Sequence, residues 1–136
     1  MEVSDDTVLN YFRAKQAAYA SPMAVAQALK SGVESAVVVV DVRNPVSTIL
    51  TTIKGAIWIP EAQIKTRINE PLKDKTLVLV CWDTWCSLAT SAAIPLLEKG
   101  FKVKELNGGI AAWKTLQLPE MPLQKGSAPE ACASSC

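Results

Sequence analysis

The stretch Thr76-Leu-Val-Leu-Val-Cys81-Trp-Asp-Thr-Trp-Cys86-Ser-Leu-Ala89 changes character part-way along. Up to Val80 it is an unbroken run of β-branched and leucine side chains, the pattern of a strand buried on both faces of a parallel sheet. From Ser87 to Gly100, Leu88, Ala92, Leu96 and Leu97 recur at helical spacing, with Ser87 placed to cap the first turn and Gly100 to end the last. The reading is strand, loop, helix. In an open α/β sheet ligands bind at the carboxyl ends of strands, and this loop opens with the thiol of Cys81 and closes with that of Cys86. A cysteine ahead of a helix N-terminus is favoured as thiolate by the unpaired backbone N–H groups, which makes Cys81 a candidate nucleophile.

Outward from this stretch the same alternation repeats. Ala36 to Arg43 holds five valines in a seven-residue window, a second central strand with Asp41 and Arg43 at its carboxyl end. Asn44-Pro45 breaks it, and Val46 to Thr52 reads as a short helix or loop. Ala56-Ile-Trp-Ile-Pro60 is a short strand stopped by proline, Glu61 to Ile68 a helical turn or two, and Asn69 to Lys75 a polar connection. Lys102 to Leu106 is the last strand, Asn107-Gly108-Gly109 a tight turn, and Ile110 to Thr115 a terminal helix carrying Trp113.

On the N-terminal side, Asp5 to Ala20 places Val8, Leu9, Phe12 and Tyr19 on one stripe of an amphipathic helix that packs across the sheet or precedes the domain. Ser21-Pro22 starts a short helix that ends near Gly32. From Leu118 onward proline, serine, alanine and glycine replace the periodic pattern. The expected organisation is an N-terminal helical extension over 1–20, one α/β domain over 21–117 and a flexible tail over 118–136. Alternating strands and helices imply a mostly parallel sheet of about four to five strands with helices on both faces.

The 136 residues, 49% hydrophobic and 20% charged, suffice for one domain with a substantial core. A net charge of +1, with no basic cluster interleaved with aromatics, gives no reason to expect nucleic acid as a partner. No apolar run approaches the roughly 20 residues that span a bilayer. Met1 to Asp6 is acidic and leads into no apolar stretch of the kind found in secretory signals, so a cytoplasmic protein with no membrane partner is expected.

The four cysteines fall into two pairs, Cys81/Cys86 and Cys132/Cys136, which speaks for reduced or redox-active thiols rather than a disulfide framework. Histidine is absent, which removes Ser-His and Cys-His catalysis and every His-containing metal site. Cys132 and Cys136 supply only half a tetrahedral metal site, so neither a metal nor a cofactor is expected.

Three separated segments together resemble the rhodanese family of sulfurtransferases. Asp41-Val-Arg43 is followed at the family's spacing by Gly55-Ala56 and a strand ending in Pro60. Cys81 stands where rhodaneses carry the catalytic cysteine, and Gly100-Phe101, Val103 and Leu106-Asn-Gly-Gly-Ile-Ala-Ala-Trp113 resemble the closing signature. The chain departs from the family's Cys-x-x-Gly-x-Arg-Ser loop by placing Thr84 at the glycine and Cys86 at the arginine. It resembles a subgroup with a Cys-x-x-x-x-Cys loop better than the thiosulfate-specific type. Thr51-Thr52-Ile53-Lys54 replaces the usual Gly-His-Ile-Pro, a structural rather than catalytic loss.

The resemblance implies a rhodanese-like three-layer sandwich and transfer of sulfane sulfur through a Cys81 persulfide, from a small sulfur donor to a thiol or protein acceptor. The loop Trp82, Asp83, Thr84, Trp85, Cys86 and Ser87 would then bind substrate, its N–H groups forming a nest for the anionic persulfide and its tryptophans rimming an apolar entrance. Cys86 is a candidate resolving thiol, although a spacing of five does not bring two sulfurs together by itself. Asp41 and Arg43 are expected as a supporting ion pair. The alternatives are a thiol-redox protein using Cys81 and Cys86, or a rhodanese module that binds without catalysis. A phosphatase is disfavoured because Ser87 occupies the place of the phosphate-clamping arginine. The oligomeric state leaves no mark on the sequence.

Overall fold

The structure is a computed structural model that describes residues 2–32 and 36–123. Helix α1 spans Asp5–Ala18, β1 Tyr19–Ala20, α2 Pro22–Leu29, β2 Val37–Asp41, β3 Thr51–Ile53, β4 Ile57–Trp58 and α3 Ile64–Arg67. Then follow β5 Thr76–Val80, α4 Leu88–Glu98, β6 Lys102–Leu106, α5 Gly109–Thr115 and β7 Glu120–Pro122. Short 3-10 helices at Glu61–Gln63 and Glu70–Asp74 fill the connections on either side of α3.

Five strands form one sheet in the order β1-β6-β5-β2-β4, and every pairing in it is parallel. The valine-rich β2 and the Leu/Val-rich β5 sit side by side at its centre, in register from Val37 and Thr76 to Asp41 and Val80. Alternation along a doubly buried strand sends successive side chains to opposite layers. Val40, Val42, Leu77, Leu79 and Cys81 pack with Ile64, Ala89, Ala92 and Leu96 of α3 and α4. Val39, Val78 and Val80 pack on the other face with Val25 of α2 and with Ile110 and Trp113 of α5. Burying each such side chain stabilises the fold by about 1.5–3 kcal/mol, so the two apolar layers fix the sheet between the helices. The three-layer α/β sandwich expected from the sequence is therefore present. Among the described residues no helix is long and apolar enough to cross a membrane.

The ends of the domain differ from the sequence reading. Tyr19–Ala20 leaves the helix and joins the central sheet as β1 beside Glu105 and Leu106, so the sheet begins inside the supposed extension. Pro22 disfavours helical backbone at Ser21, and the pairing with β6 holds Tyr19, extended at φ −109°, in the sheet. Helix α1 itself buries none of its residues, and Val8, Leu9 and Phe12 are exposed. It is capped by Ser4, whose Oγ accepts the Thr7 N–H, and tethered by Lys104, whose ammonium donates to the Gln16 and Ala17 carbonyls at its C-terminus.

At the other end, Glu120–Pro122 pairs antiparallel with Thr51–Ile53, a segment read from sequence as helix or loop. Fixed structure thus continues past Leu118, where the sequence suggested a tail. Prolines 119 and 122 look like breakers, yet an edge strand tolerates them because one side of its ladder needs no donor. The small sheet is pinned to α5: Trp113 Nε1 donates to the Pro119 carbonyl at 2.8 Å and Lys114 Nζ to Glu120 Oε1 at 2.7 Å. Cys132 and Cys136 lie outside the described residues.

Candidate active site

Cys81 follows the last residue of β5 and stays on the face that its alternation dictates, buried against Ala89 and Ala92 of α4. The chain then turns sharply through residues 82–87 before α4 begins. Two contacts shape that turn. The Ile110 N–H donates to the Cys81 carbonyl at 2.8 Å, and the Ala111 N–H donates to the Trp82 carbonyl at 3.0 Å. The first peptides of the loop are thus tied to the first turn of α5. In a trans peptide the following N–H points opposite to the carbonyl, so the Trp82 and Asp83 N–H groups face away from α5. The approach is close enough to require glycine at 109, where φ is +61° and a Cβ would meet the Cys81 oxygen at 2.7 Å.

The rest of the loop closes on itself. Asp83 Oδ1 accepts the Thr84 N–H at 2.6 Å and the Asp83 carbonyl accepts the Cys86 N–H at 3.1 Å. The expected nest of N–H groups from Trp82 to Ser87 is therefore partly spent, since those of Thr84 and Cys86 are occupied within the turn. Ser87 stands just before α4, but its side chain makes no capping hydrogen bond; its carbonyl accepts the Ser91 N–H instead. Its φ of −103° and ψ of 2° depart from the extended backbone of a typical N-cap, and this is why the cap fails.

Cys81 and Cys86 are joined by a disulfide across this turn, with their Cα atoms 6.3 Å apart. The loop brings together the two thiols whose meeting the spacing left open.

The two tryptophans part company. Trp85 is 74% exposed at the loop tip, whereas Trp82 is half-buried, touches both core layers and lies under the Arg43 guanidinium, 4.7 Å from ring centroid to Cζ. Neither tryptophan is among the residues that line the recess beside Cys81, so the expected apolar rim is not formed by them. Trp82 is drawn inward because Arg43 offers its ring a cation and the loop carbonyls hold its backbone against α5.

Asp41 and Arg43 form the expected ion pair, and it is buried. Arg43 Nη2 approaches Asp41 Oδ2 at 2.7 Å while Nε approaches Oδ1 at 3.0 Å, and both side chains are almost wholly shielded from solvent. Thr52 Oγ1 donates to Asp41, Arg43 Nη2 donates to the Thr51 carbonyl, and Trp58 Nε1 donates to the Arg43 carbonyl. These two charges brace β2, β3, β4 and Trp82 rather than facing a ligand.

Beside Cys81 a small recess of about 60 Å³ opens between the loop, the β1 and β6 ends and the glycine turn. Cys81, Asp83, Thr84, Tyr19, Glu105 and Gly109 line it, and the described residues around it include no lysine or arginine. Glu105 is the residue that the sequence reading passed over. Burial pushes its carboxyl above the ordinary range, against a smaller opposing effect of its hydrogen bond with Thr90 Oγ1, 3.4 Å away. A signal for it existed: Val103 packs on the α4 face of β6, and period two puts Glu105 on that same face.

The profile of the rhodanese-like domain matches residues 24–116. The chain belongs to the rhodanese-like family. Among its relatives, thiosulfate sulfurtransferase GlpE of Pseudomonas fluorescens is 35% identical over 95 residues, which is 69% of this chain and 83% of that protein. An HTH-type transcriptional regulator of Mycobacterium tuberculosis is 34% identical over 83 residues, 61% of this chain but only 37% of the regulator's length. The crystal structure of a full-length Lactobacillus plantarum protein superimposes with a TM-score of 0.81 at 32% identity, covering 88% of this chain and all of that one. The rhodanese-like match takes in β2, β5, the cysteine loop and α5. It stops short of β7 and begins after β1, two of the three strands that sequence periodicity also missed.

Proposed function

We propose that this rhodanese-like protein is a sulfurtransferase in which reduced Cys81 takes up a sulfane sulfur as a persulfide and passes it to a thiol. One observation carries the reading: Cys81 stands at the carboxyl end of a central strand, on a loop whose carbonyls are tied back to α5, and it borders an open recess. The sulfurtransferase names of relatives that align with most of their length support the same chemistry. The disulfide with Cys86 is the resting oxidised form, and a low-molecular-weight thiol opens it before turnover. A thiol-rich compartment, the cytoplasm, supplies both that reductant and the acceptor.

The donor we favour is an organic persulfide rather than thiosulfate. Asp83 borders the recess, no lysine or arginine among the described residues does, and the buried Arg43 is engaged with Asp41. A charge-assisted hydrogen bond from a cationic side chain to an anion is worth about 1.5–3 kcal/mol, roughly one to two decades in affinity, and no lysine or arginine among the described residues lining the recess offers one to a dianion.

The test is intact mass after exposure of the reduced protein to an organic persulfide. A gain of one sulfur atom, removed by cyanide and absent from Cys81→Ser, is the expected result. A Cys81→Ser protein that still gains and surrenders sulfur overturns the assignment.

A further inference from the structure

Glu105 has no part in the sulfur transfer as set out so far, yet it borders the same recess as Cys81. We propose, resting on the sulfur-transfer reading above, that Glu105 is the proton carrier of the reaction: it protonates the departing thiolate of the donor and deprotonates the incoming thiol acceptor.

The placement follows from register. Glu105 pairs with Leu79, two residues before Cys81, and its side chain lies on the same face of the sheet as those of Leu79 and Cys81. One strand across and two residues along separate the two Cα atoms by about 8 Å, and both side chains line the recess between them. Thr90, in the first turn of α4, draws the carboxyl toward the helix that follows the loop. The recess between them has room for about one or two small groups, the scale of a thiol sulfur in transit.

The groups that face Glu105 leave it free for this work. The loop contributes Cys81 and Asp83, β1 contributes Tyr19 and α4 contributes Thr90, while Lys102 and Lys104 of its own strand alternate to the opposite face. Among the described residues, no lysine or arginine lining the recess fixes the carboxyl as an ion pair. Burial raises its proton affinity, in the direction an acid needs to act nearer neutrality.

The chemistry balances without a further reagent. In loading, the Cys81 thiolate attacks the outer sulfur of R–S–SH. A Cys81–S bond forms, the donor S–S bond breaks, and RS⁻ leaves with the electron pair and takes the proton of Glu105. In unloading, Glu105 carboxylate removes the proton of R′SH, whose thiolate attacks the outer sulfur, giving R′S–SH and the Cys81 thiolate. Glu105 ends protonated, as it began, and no net oxidation occurs.

The two donors separate this role from a structural one, because an alkyl thiolate leaving group needs a proton and the sulfite released from thiosulfate does not. Reduced wild type and Glu105→Gln are compared with an alkyl persulfide and with thiosulfate, with cyanide as a proton-free acceptor, and loading is followed by intact mass. The expected result is a loss of about 100-fold in kcat/KM for the alkyl persulfide and less than threefold for thiosulfate. A more acidic aryl persulfide should lie between. Equal losses on all donors, or no loss on the alkyl persulfide, overturn the proposal while leaving the Cys81 persulfide reading intact. Wild-type protein that gains no sulfur overturns that reading and this one with it.

Discussion

Gly109 lies flush against the Cys81 carbonyl: a Cβ at that position would sit 2.7 Å from the oxygen and 2.9 Å from the Asp83 nitrogen. Both obstacles are backbone, so the loop must move if a side chain is added. Gly109→Ala also has to hold a φ of +61°, which costs about 1–3 kcal/mol where the surroundings enforce it. The variant should melt at lower temperature and lose sulfur transfer together. A variant with unchanged melting and turnover would show that the loop is not held by this contact.

The buried Asp41–Arg43 pair is worth less as a stabiliser than its geometry suggests, because desolvation offsets most of the attraction. Removing one partner is different. Asp41→Asn leaves the guanidinium facing a neutral amide inside the core and should cost about 3–5 kcal/mol in urea unfolding. A double variant that replaces both by apolar residues should recover part of the loss. If Asp41→Asn costs under about 1 kcal/mol, water reaches the pair and the bracing role is wrong.

The Cys81–Cys86 disulfide predicts a response to oxidants. Mild oxidation of wild type should stop transfer through the Cys81–Cys86 disulfide, and a thiol should restore it. Cys86→Ser should keep transfer when reduced, yet after peroxide lose it irreversibly, because the Cys81 sulfenic acid then has no partner and oxidises further. Full recovery of oxidised Cys86→Ser by thiol would remove the protective role.

Glu120 links pH to stability. Partial burial raises its pKa, but hydrogen bonds from Lys114 and Thr51 outweigh this and leave it below its ordinary 4.5. A carboxyl depressed in the folded state stabilises above its unfolded pKa, and the contribution fades as pH falls through the folded value. Glu120→Gln should therefore lower the melting temperature at pH 7 and make no difference well below pH 4.5. The carboxylate is largely solvated, so the effect is small. A difference that persists in acid would assign the loss to packing of β7 instead.

A chain ending at Gln117 loses β7, the Trp113–Pro119 bond and the partner of β3, whereas one ending at Leu123 keeps all three. The shorter chain should melt several degrees lower than the longer one, measured side by side. Equal melting would mean that the small sheet decorates the domain without supporting it.

Much of this was legible in the chain itself, and what was not has a physical cause. The valines of β2 and the Leu/Val run of β5 announce central strands because burial on both faces permits nothing else. Strands β1, β3 and β7 are two or three residues long and owe their form to partners distant in sequence, so no local period marks them. The nucleophile candidate could be read from its place after a strand. The role of Trp82 could not, since it depends on Arg43 arriving over its ring from the connection that follows β2. Glu105 needed the register with Leu79, and the Cys81–Cys86 pairing needed the turn that brings their Cα atoms to 6.3 Å.

The sheet order also governs when the protein becomes itself on the ribosome. Strand β5 lies between β2, made before it, and β6, made after it, and its loop is tied down by α5. A nascent chain that has only just released Cys81 and Cys86 therefore has two thiols and no scaffold. The site takes shape once residues up to the end of α5 at Thr115 have emerged, so synthesis passes through an interval in which the reactive cysteine is unguarded.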